Sequence, residues 1–183
     1  MRVISGTAKG RTLKSPGEAT RPITDRVKTN LFNILSGQIL DANVLDLFAG
    51  AGSVAIEALS RGARFATLVE LDREALQAAR ENLALTRLNQ RANVIRQDVF
   101  KFLAAGPQDH YDLIYVAPPQ YRGLWEKTLN LLDQADFLSE NGAIVVQIHP
   151  KEYREMPLQR LELYDQRKYG STMLCFYQPK DEM

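Results

Sequence analysis

The stretch Val44-Leu45-Asp46-Leu47-Phe48-Ala49-Gly50-Ala51-Gly52-Ser53 decides the fold. Apolar and β-branched residues surround Asp46, which is typical of a buried parallel strand. Gly50 and Gly52 allow a sharp turn and a close approach of the backbone to a ligand, and Ser53 is expected to cap the helix that follows. A glycine-rich turn between a strand and a helix suits a nucleotide. The stretch therefore predicts a nucleotide-binding α/β protein.

The charge of Asp46 indicates which nucleotide binds. Gly50-x-Gly52-x-x-Ala55 also satisfies the relaxed fingerprint of dinucleotide sites, in which a pyrophosphate lies against the turn. A carboxylate at the strand end would repel that pyrophosphate. S-adenosylmethionine has no phosphate, and its ammonium can donate charge-assisted hydrogen bonds to Asp46. We expect this methyl donor rather than NAD. One alternative is a dehydrogenase; the other is that Asp46 only forms hydrogen bonds within the protein at the strand end and binds no ligand.

Length and composition are those of one globular domain. The chain has 183 residues, of which 45% are hydrophobic and 25% charged. The longest apolar runs, such as residues 143–146, are too short to span a bilayer, and no export signal is visible. Cys175 is alone in an apolar run and is expected to be a core thiol, while His110 and His149 suggest no metal cluster. We expect a cytoplasmic protein without a metal or a membrane contact.

The charge is unevenly distributed. Residues 1–30 hold seven basic and two acidic side chains, whereas the other residues hold sixteen basic and twenty acidic ones. This pattern is typical of a basic arm that contacts phosphates, although a solvated surface is the alternative. Residues 6–11 read as a hairpin tip, and Thr24 is a plausible cap for a helix that follows. The predicted contacts to nucleic-acid phosphates are Lys9, Arg11, Arg21, Arg26 and Lys28.

Strand and helix patterns alternate beyond this arm. Strands are predicted at Asn43–Phe48, Phe65–Leu71, Ala92–Gln97, Tyr111–Val116 and Ala143–Ile148. Helices are predicted at Ser53–Arg61, Arg73–Leu88, Val99–Ala105 and Leu124–Ala135. The alternation indicates a mainly parallel sheet with helices on both faces, and two tail runs, Leu158–Tyr164 and Thr172–Tyr177, suggest an antiparallel edge hairpin. We divide the chain into a basic extension, residues 1–40, and one globular unit, residues 41–183.

Other informative side chains follow the strand ends, where open α/β sheets bind ligands. Glu70 could accept both hydroxyls of a ribose, and Asp72 is expected to cap the next helix. Asp98 could accept from an adenine amine, cap its own helix, or do both. The turn at Ala117-Pro118-Pro119-Gln120-Tyr121 has two prolines that remove amide donors and leave carbonyl oxygens facing a ligand, although a plain loop is the commoner interpretation.

With these residues in place, the chain resembles the RsmD-type methyltransferases, which modify the N2 amine of a guanine in small-subunit (16S) ribosomal RNA. The similar segments are Arg2–Gly6 with Gly10-Arg11, Arg21–Lys28, Leu31–Asn33, Asp46–Gly52, Glu57–Ala63, Glu70–Asp72 and Tyr169–Thr172. The resemblance implies a class I, Rossmann-like fold with a seven-stranded sheet, S-adenosylmethionine as donor and ribosomal RNA, free or in a small-subunit assembly particle, as substrate. The predicted cofactor site comprises Asp46, Phe48, Ala49, Gly50, Gly52, Glu70, Leu71, Asp98 and Val99.

The predicted catalytic turn departs from the family pattern, which reads Asp/Asn-Pro-Pro-aromatic. Ala117 replaces the residue whose oxygen accepts from the target amine, and Gln120 stands where the aromatic residue would stack on the base. Tyr121, one position later, or Trp125 could supply the stacking face. Loss of one hydrogen bond costs about 1–3 kcal/mol, or about one to two powers of ten in rate.

Three outcomes follow from this departure: an active variant, a methyltransferase for another RNA, DNA or protein amine, or a noncatalytic RNA-binding relative. For the active variant we expect a monomer whose basic arm holds RNA phosphates. The guanine must leave its stack to reach the donor. Positioning and exclusion of water should supply most of the acceleration, because the sulfonium charge disappears during transfer.

Overall fold

A computed structural model describes residues 1–17 and 22–182. Seven strands form one sheet in the order β3-β2-β1-β4-β5-β7-β6. The strands are β1 Asn43–Leu47, β2 Phe65–Glu70, β3 Ala92–Arg96, β4 Tyr111–Val116, β5 Leu138–Ile148, β6 Leu161–Tyr169 and β7 Thr172–Pro179. The helices are α1 Asp25–Ile34, α2 Ser53–Ser60, α3 Arg73–Leu85, α4 Val99–Ala104 and α5 Leu124–Asp133.

The pairing of the strands confirms the predicted mainly parallel sheet. Strands β3, β2, β1, β4 and β5 run parallel, whereas β7 is antiparallel to both β5 and β6. The tail therefore forms the expected hairpin, with β6 at the edge. The predicted bounds of β6 were wrong: the Asp133 carboxylate accepts the amides of Gln159, Arg160 and Leu161 and holds that segment before the strand begins.

Helices cover both faces of the sheet, as predicted. One buried cluster, termed the first core face, contains side chains of α1, α2 and α3 together with Val44, Leu68 and Tyr115 of the sheet. The other, termed the second core face, contains side chains of α4 and α5 with Leu47 and Val116. Side chains of successive strand residues alternate between these two faces. Asp46 and Tyr115, which are paired in the register of β1 and β4, thus lie on the same side of the sheet.

The basic extension packs into the first core face. Its buried side chains are Val3, Ala8, Leu13, Ile23, Val27, Leu31, Phe32, Leu35 and Ile39. The hairpin is closed by backbone bonds from the Val3 amide to the Arg11 carbonyl and from the Gly10 amide to the Val3 carbonyl. Its tip contacts the end of α2, where the Ser60 carbonyl accepts from the amide of Thr7 at 2.8 Å. A Cβ on Gly6 would lie 1.8 Å from the Ser60 carbonyl oxygen, so this close approach requires glycine. The exact division at residue 40 stays a prediction.

Three of the four predicted helix caps are confirmed. Thr24, Asp72 and Asp98 each accept a backbone amide with their side chains at the starts of α1, α3 and α4. The predicted cap at Ser53 is wrong. Gly52 occupies the capping position, and Ser53 is the first helical residue.

Two further expectations concern the rest of the described chain. Cys175 is buried, and burial raises the pKa of its thiol to about 11, as suits a core thiol. Among residues 1–17 and 22–182, no helix has the length and apolar character needed to cross a membrane.

Candidate active site

The two turns singled out in the sequence meet at the point where the strand order reverses. Strands β1 and β4 are neighbours there, and their carboxyl ends face the same edge of the sheet. The amide of Ala117 donates to the Leu47 carbonyl at 3.5 Å, so the turn at residues 117–121 begins beside the turn at residues 48–52. Open α/β sheets bind ligands in the crevice at this switch point.

Asp46 is a buried carboxylate with one unsatisfied oxygen. The residue is 1% exposed, and its Oδ2 accepts the amide of Ala55 at 3.2 Å. Its Oδ1 is, within the described residues, the one buried side-chain oxygen or nitrogen that has no hydrogen-bond partner. Burial raises the pKa of the Asp46 carboxyl well above its usual range, the Ala55 amide opposes this, and Glu70 adds to it. A ligand cation would supply the missing partner.

The glycine turn leaves room for a ligand. Gly50 has φ 58°, and a Cβ built on it would meet nothing within 4 Å. Gly52 has φ 82°, and a Cβ there would lie 2.9 Å from Leu68 Cδ2. Phe48 also has a positive φ, 61°, which is uncommon for a bulky residue and is found most often where function requires it.

Glu70 holds the glycine turn from the end of β2. Its Oε2 accepts the Gly50 amide at 2.8 Å, and its Oε1 accepts the Asp72 amide at 2.9 Å. Each carboxylate oxygen has a second acceptor site, so the two oxygens can still receive a pair of ribose hydroxyls.

The other residues of the predicted cofactor site differ in exposure. Leu71 is 55% exposed and offers an apolar surface beside Glu70. Asp98 uses Oδ1 to accept the Lys101 amide at 3.0 Å, as its predicted capping role requires. The side chain of Val99 packs into the second core face.

The turn after β4 is held by the segment that follows β5. The amide of Tyr121 donates to Glu152 Oε1 at 2.7 Å, and the amide of His149 donates to Glu152 Oε2 at 3.1 Å. Tyr121 has φ 60° and is 64% exposed, and its ring centroid lies 5.5 Å from that of His149. In the described part of the chain, no backbone amide donates to the carbonyls of Ala117 and Pro118.

Trp125 cannot stack on a substrate base. It is 1% exposed and lies in the second core face, where its ring is stacked at 6.5 Å on Tyr153. Apolar packing of α5 against the sheet explains this burial. Of the two aromatic candidates, Tyr121 alone is exposed.

The predicted RNA contacts divide into exposed and buried cations. Lys9, Arg11 and Arg26 are exposed, and Arg21 lies outside the described residues. The expectation for Lys28 was wrong because its side chain is fully buried. Its Nζ donates to the Arg2 carbonyl at 2.6 Å and to Ser53 Oγ at 3.0 Å. Burial lowers the pKa of Lys28, and the nearby Glu57 opposes that change.

Sequence reasoning missed two buried polar groups near the site. Glu57 on α2 accepts the Ile4 amide with both oxygens and pairs with Arg61 at 3.0 Å, a contact that the i, i+4 spacing could have indicated. The Tyr115 hydroxyl pairs with the Gln147 side chain across β4 and β5, and no local pattern indicated this pair.

Comparison with known proteins gives the family. The family model "Conserved hypothetical protein 95" matches residues 1–178. Ribosomal RNA small subunit methyltransferase D of Escherichia coli (strain K12) is 42% identical over 148 residues, which are 80% of this chain and 74% of that protein. A candidate rRNA methyltransferase of Bacillus subtilis (strain 168), YlbH, is 38% identical over 98% of this chain and 100% of its own length.

A solved structure agrees with these relatives. The structure of yhhF, a candidate methyltransferase from Escherichia coli, superposes with a TM-score of 0.87 at 36% identity and covers 100% of this chain and 99% of that one. The chain therefore belongs to the RsmD-type family of methyltransferases.

Proposed function

We propose that this methyltransferase moves a methyl group from S-adenosylmethionine to the N2 amine of a guanine in 16S ribosomal RNA. The observation that carries the proposal is the unpartnered, buried Oδ1 of Asp46 beside the glycine turn. A buried carboxylate in this place, ionised when a cation pairs with it, fits a donor that brings an ammonium and lacks a phosphate, and it opposes a dinucleotide.

The residues of the first turn and of the neighbouring strand ends would hold the donor. Asp46 pairs with the ammonium, the turn from Phe48 through Gly52 gives close backbone approach, and Glu70 accepts from the ribose. Asp98 would accept from the adenine amine, and Leu71 and Val99 complete the proposed cofactor site. When bound, S-adenosylmethionine supplies an electrophilic methyl group on a sulfonium.

The turn after β4 would hold the target base. The carbonyls of Ala117 and Pro118 receive no backbone amide in the described residues, and Pro118 and Pro119 restrict this segment, so these carbonyls can accept from an exocyclic amine. The exposed ring of Tyr121 supplies a face on which guanine stacks, since Trp125 is buried. Gln120, which stands where the family has its aromatic residue, is exposed beside it.

The exposed basic residues of the extension would bind the RNA. Lys9, Arg11 and Arg26 present cations on the surface of the segment that packs against α2. Phosphate contacts of this kind position the RNA without reading its sequence. We propose that a monomer acts in this way on ribosomal RNA or on a small-subunit assembly particle in the cytoplasm.

One observation favours a second candidate, a relative that binds donor and RNA without turnover. Ala117 has no side-chain acceptor in the place where the family has Asp or Asn. The two candidates differ in one measurable result, which is formation of the methylated base.

The test incubates the purified protein with tritiated S-adenosylmethionine and either 16S rRNA or assembled small subunits. Nuclease digestion and mass spectrometry then identify the methylated nucleoside. N2-methylguanine is the expected product. Donor binding without any product would support the second candidate. Thermal stabilisation by NAD and none by S-adenosylhomocysteine would overturn both.

A further inference from the structure

Ala117 has no side-chain acceptor, and its position on one face of the sheet shows where a replacement acceptor is needed. Ala117 follows β4 directly and packs against the first core face, the face that also holds Tyr115. A methyl side chain cannot accept a hydrogen bond. A side-chain acceptor for the target amine must therefore come from another residue, and a neighbouring strand can supply one.

Strand β5 brings such a side chain beside Ala117. Strands β4 and β5 are parallel, and their register pairs Val116 with Val146. Ala117 directly follows β4 and Gln147 is the next residue of β5, so continuing this register by one residue brings Gln147 next to Ala117, since neighbouring strands lie about 4.8 Å apart. Gln147 is only partly buried at the carboxyl end of the sheet.

A hydrogen bond fixes the direction of the Gln147 side chain. The Tyr115 hydroxyl donates to Gln147 Oε1, so the amide of Gln147 lies on the same face as Tyr115 and Ala117. Tyr115 is 3% exposed, and burial, with a contribution from Asp46, raises its pKa well above the usual range. Its hydroxyl thus keeps its proton and remains a donor to Gln147.

Gln147 keeps the capacity to bind a substrate amine. An amide oxygen has two acceptor sites, and Tyr115 uses one of them. The second can accept an N–H of an exocyclic amine. Gln147 therefore carries the same acceptor chemistry as the Asn that members of the family have in the place of Ala117.

We propose that Gln147 is a catalytic residue that accepts a hydrogen bond from the target amine in place of the missing residue at position 117, and that Tyr115 is its positioning residue. The inference rests on the proposed function. The amine nitrogen forms the new bond to carbon, and the electron pair of the broken carbon–sulfur bond stays on sulfur. The nitrogen then loses one proton to solvent water, since neutral Gln147 orients the lone pair without taking the proton.

The first test compares the native protein with Gln147→Ala under saturating donor. We expect kcat for methylation of 16S rRNA to fall about 10- to 100-fold, while calorimetric affinity for S-adenosylmethionine and RNA retention stay unchanged. Tyr115→Phe should lower kcat by a smaller factor, because the acceptor remains but loses its orientation. An unchanged kcat in Gln147→Ala would overturn the inference and leave the proposed function intact.

A rescue variant distinguishes a catalytic role of Gln147 from a purely structural one. The double variant Ala117→Asn, Gln147→Ala restores a side-chain acceptor at position 117, where the family has Asp or Asn. Its kcat should therefore recover most of the loss seen in Gln147→Ala. A loss of kcat that Ala117→Asn does not repair would assign Gln147 a structural role and overturn the inference. Should Gln147→Ala not fold, Gln147→Asn, which keeps the amide and shortens its reach, replaces it with the same expected loss. Absence of product from the native protein would instead contradict the proposed function.

Discussion

Replacing Asp46 with asparagine (D46N) should weaken binding of S-adenosylmethionine about 10- to 150-fold. Asp46 is fully buried and its Oδ1 has no partner in the described residues, so the ammonium would take that place without displacing a protein group. A hydrogen bond to a charged group contributes about 1.5–3 kcal/mol, and each 1.4 kcal/mol is about a factor of ten in affinity. Asparagine keeps the size and one acceptor for the Ala55 amide but loses the charge.

The same substitution should remove a pH dependence. Because burial raises the pKa of Asp46 in the folded protein, the folded state holds a proton that the unfolded state has lost. The free energy of unfolding of the ligand-free protein should therefore fall as pH rises from the ordinary carboxyl pKa to the raised one. Donor binding needs the ionised form, so its affinity should rise over that interval. In D46N both changes should be absent.

Calorimetry across acidic to neutral pH measures the affinity, and filter binding measures RNA retention. Asp72→Asn is the matched control, since it makes the same chemical change at a nearby helix cap and asparagine still caps. This control should leave donor affinity unchanged. An equal loss of donor and RNA binding in D46N, or an unchanged donor affinity, would refute the assignment of Asp46 to the ammonium.

Three further predictions test the extension and the glycine turn. Neutralising Arg11 and Arg26 together should reduce the slope of log affinity for RNA against log salt by about 1.5, and an unchanged slope would show that they are only solvated. Lys28→Met should lower the free energy of unfolding by about 1–3 kcal/mol, because it leaves buried acceptors unpaired, and should not alter that slope. Gly50→Ala should reduce donor affinity more than stability, measured by calorimetry and denaturant unfolding, because its methyl group enters the open ligand space and its left-handed backbone costs only about 1–2 kcal/mol.

The sequence was informative where a structural feature depends on residues that are close together in the chain. Thr24, Asp72 and Asp98 cap helices because each side chain bonds an amide three residues later, a distance visible in the sequence. The strand with Asp46 and its glycine turn were predictable for the same reason. Their meeting with the turn at Ala117 followed from the rule that parallel strands end at one edge.

The sequence was misleading where long-range packing decides. Lys28 was expected at the surface because it lies near the start of a helix. The face of α1 that carries Lys28 instead packs into the core, where its ammonium donates to the Arg2 carbonyl and to Ser53 Oγ. Ser53 does not cap its helix, because Gly52 occupies the capping position. The pairing of Tyr115 with Gln147 depends on the register of two strands, which the sequence alone does not specify.

The bond between Lys28 and Ser53 has a consequence for engineering the chain. Ser53 begins the helix behind the glycine turn, and Lys28 belongs to the helix that carries Arg26. A shortened protein beginning near residue 41 would lose nine apolar side chains from the first core face, and with them the Ile4 amide that bonds Glu57 and the Lys28 ammonium that bonds Ser53. The basic extension is therefore not an independent unit, and grafting it onto another methyltransferase would also require its contact residues on α2.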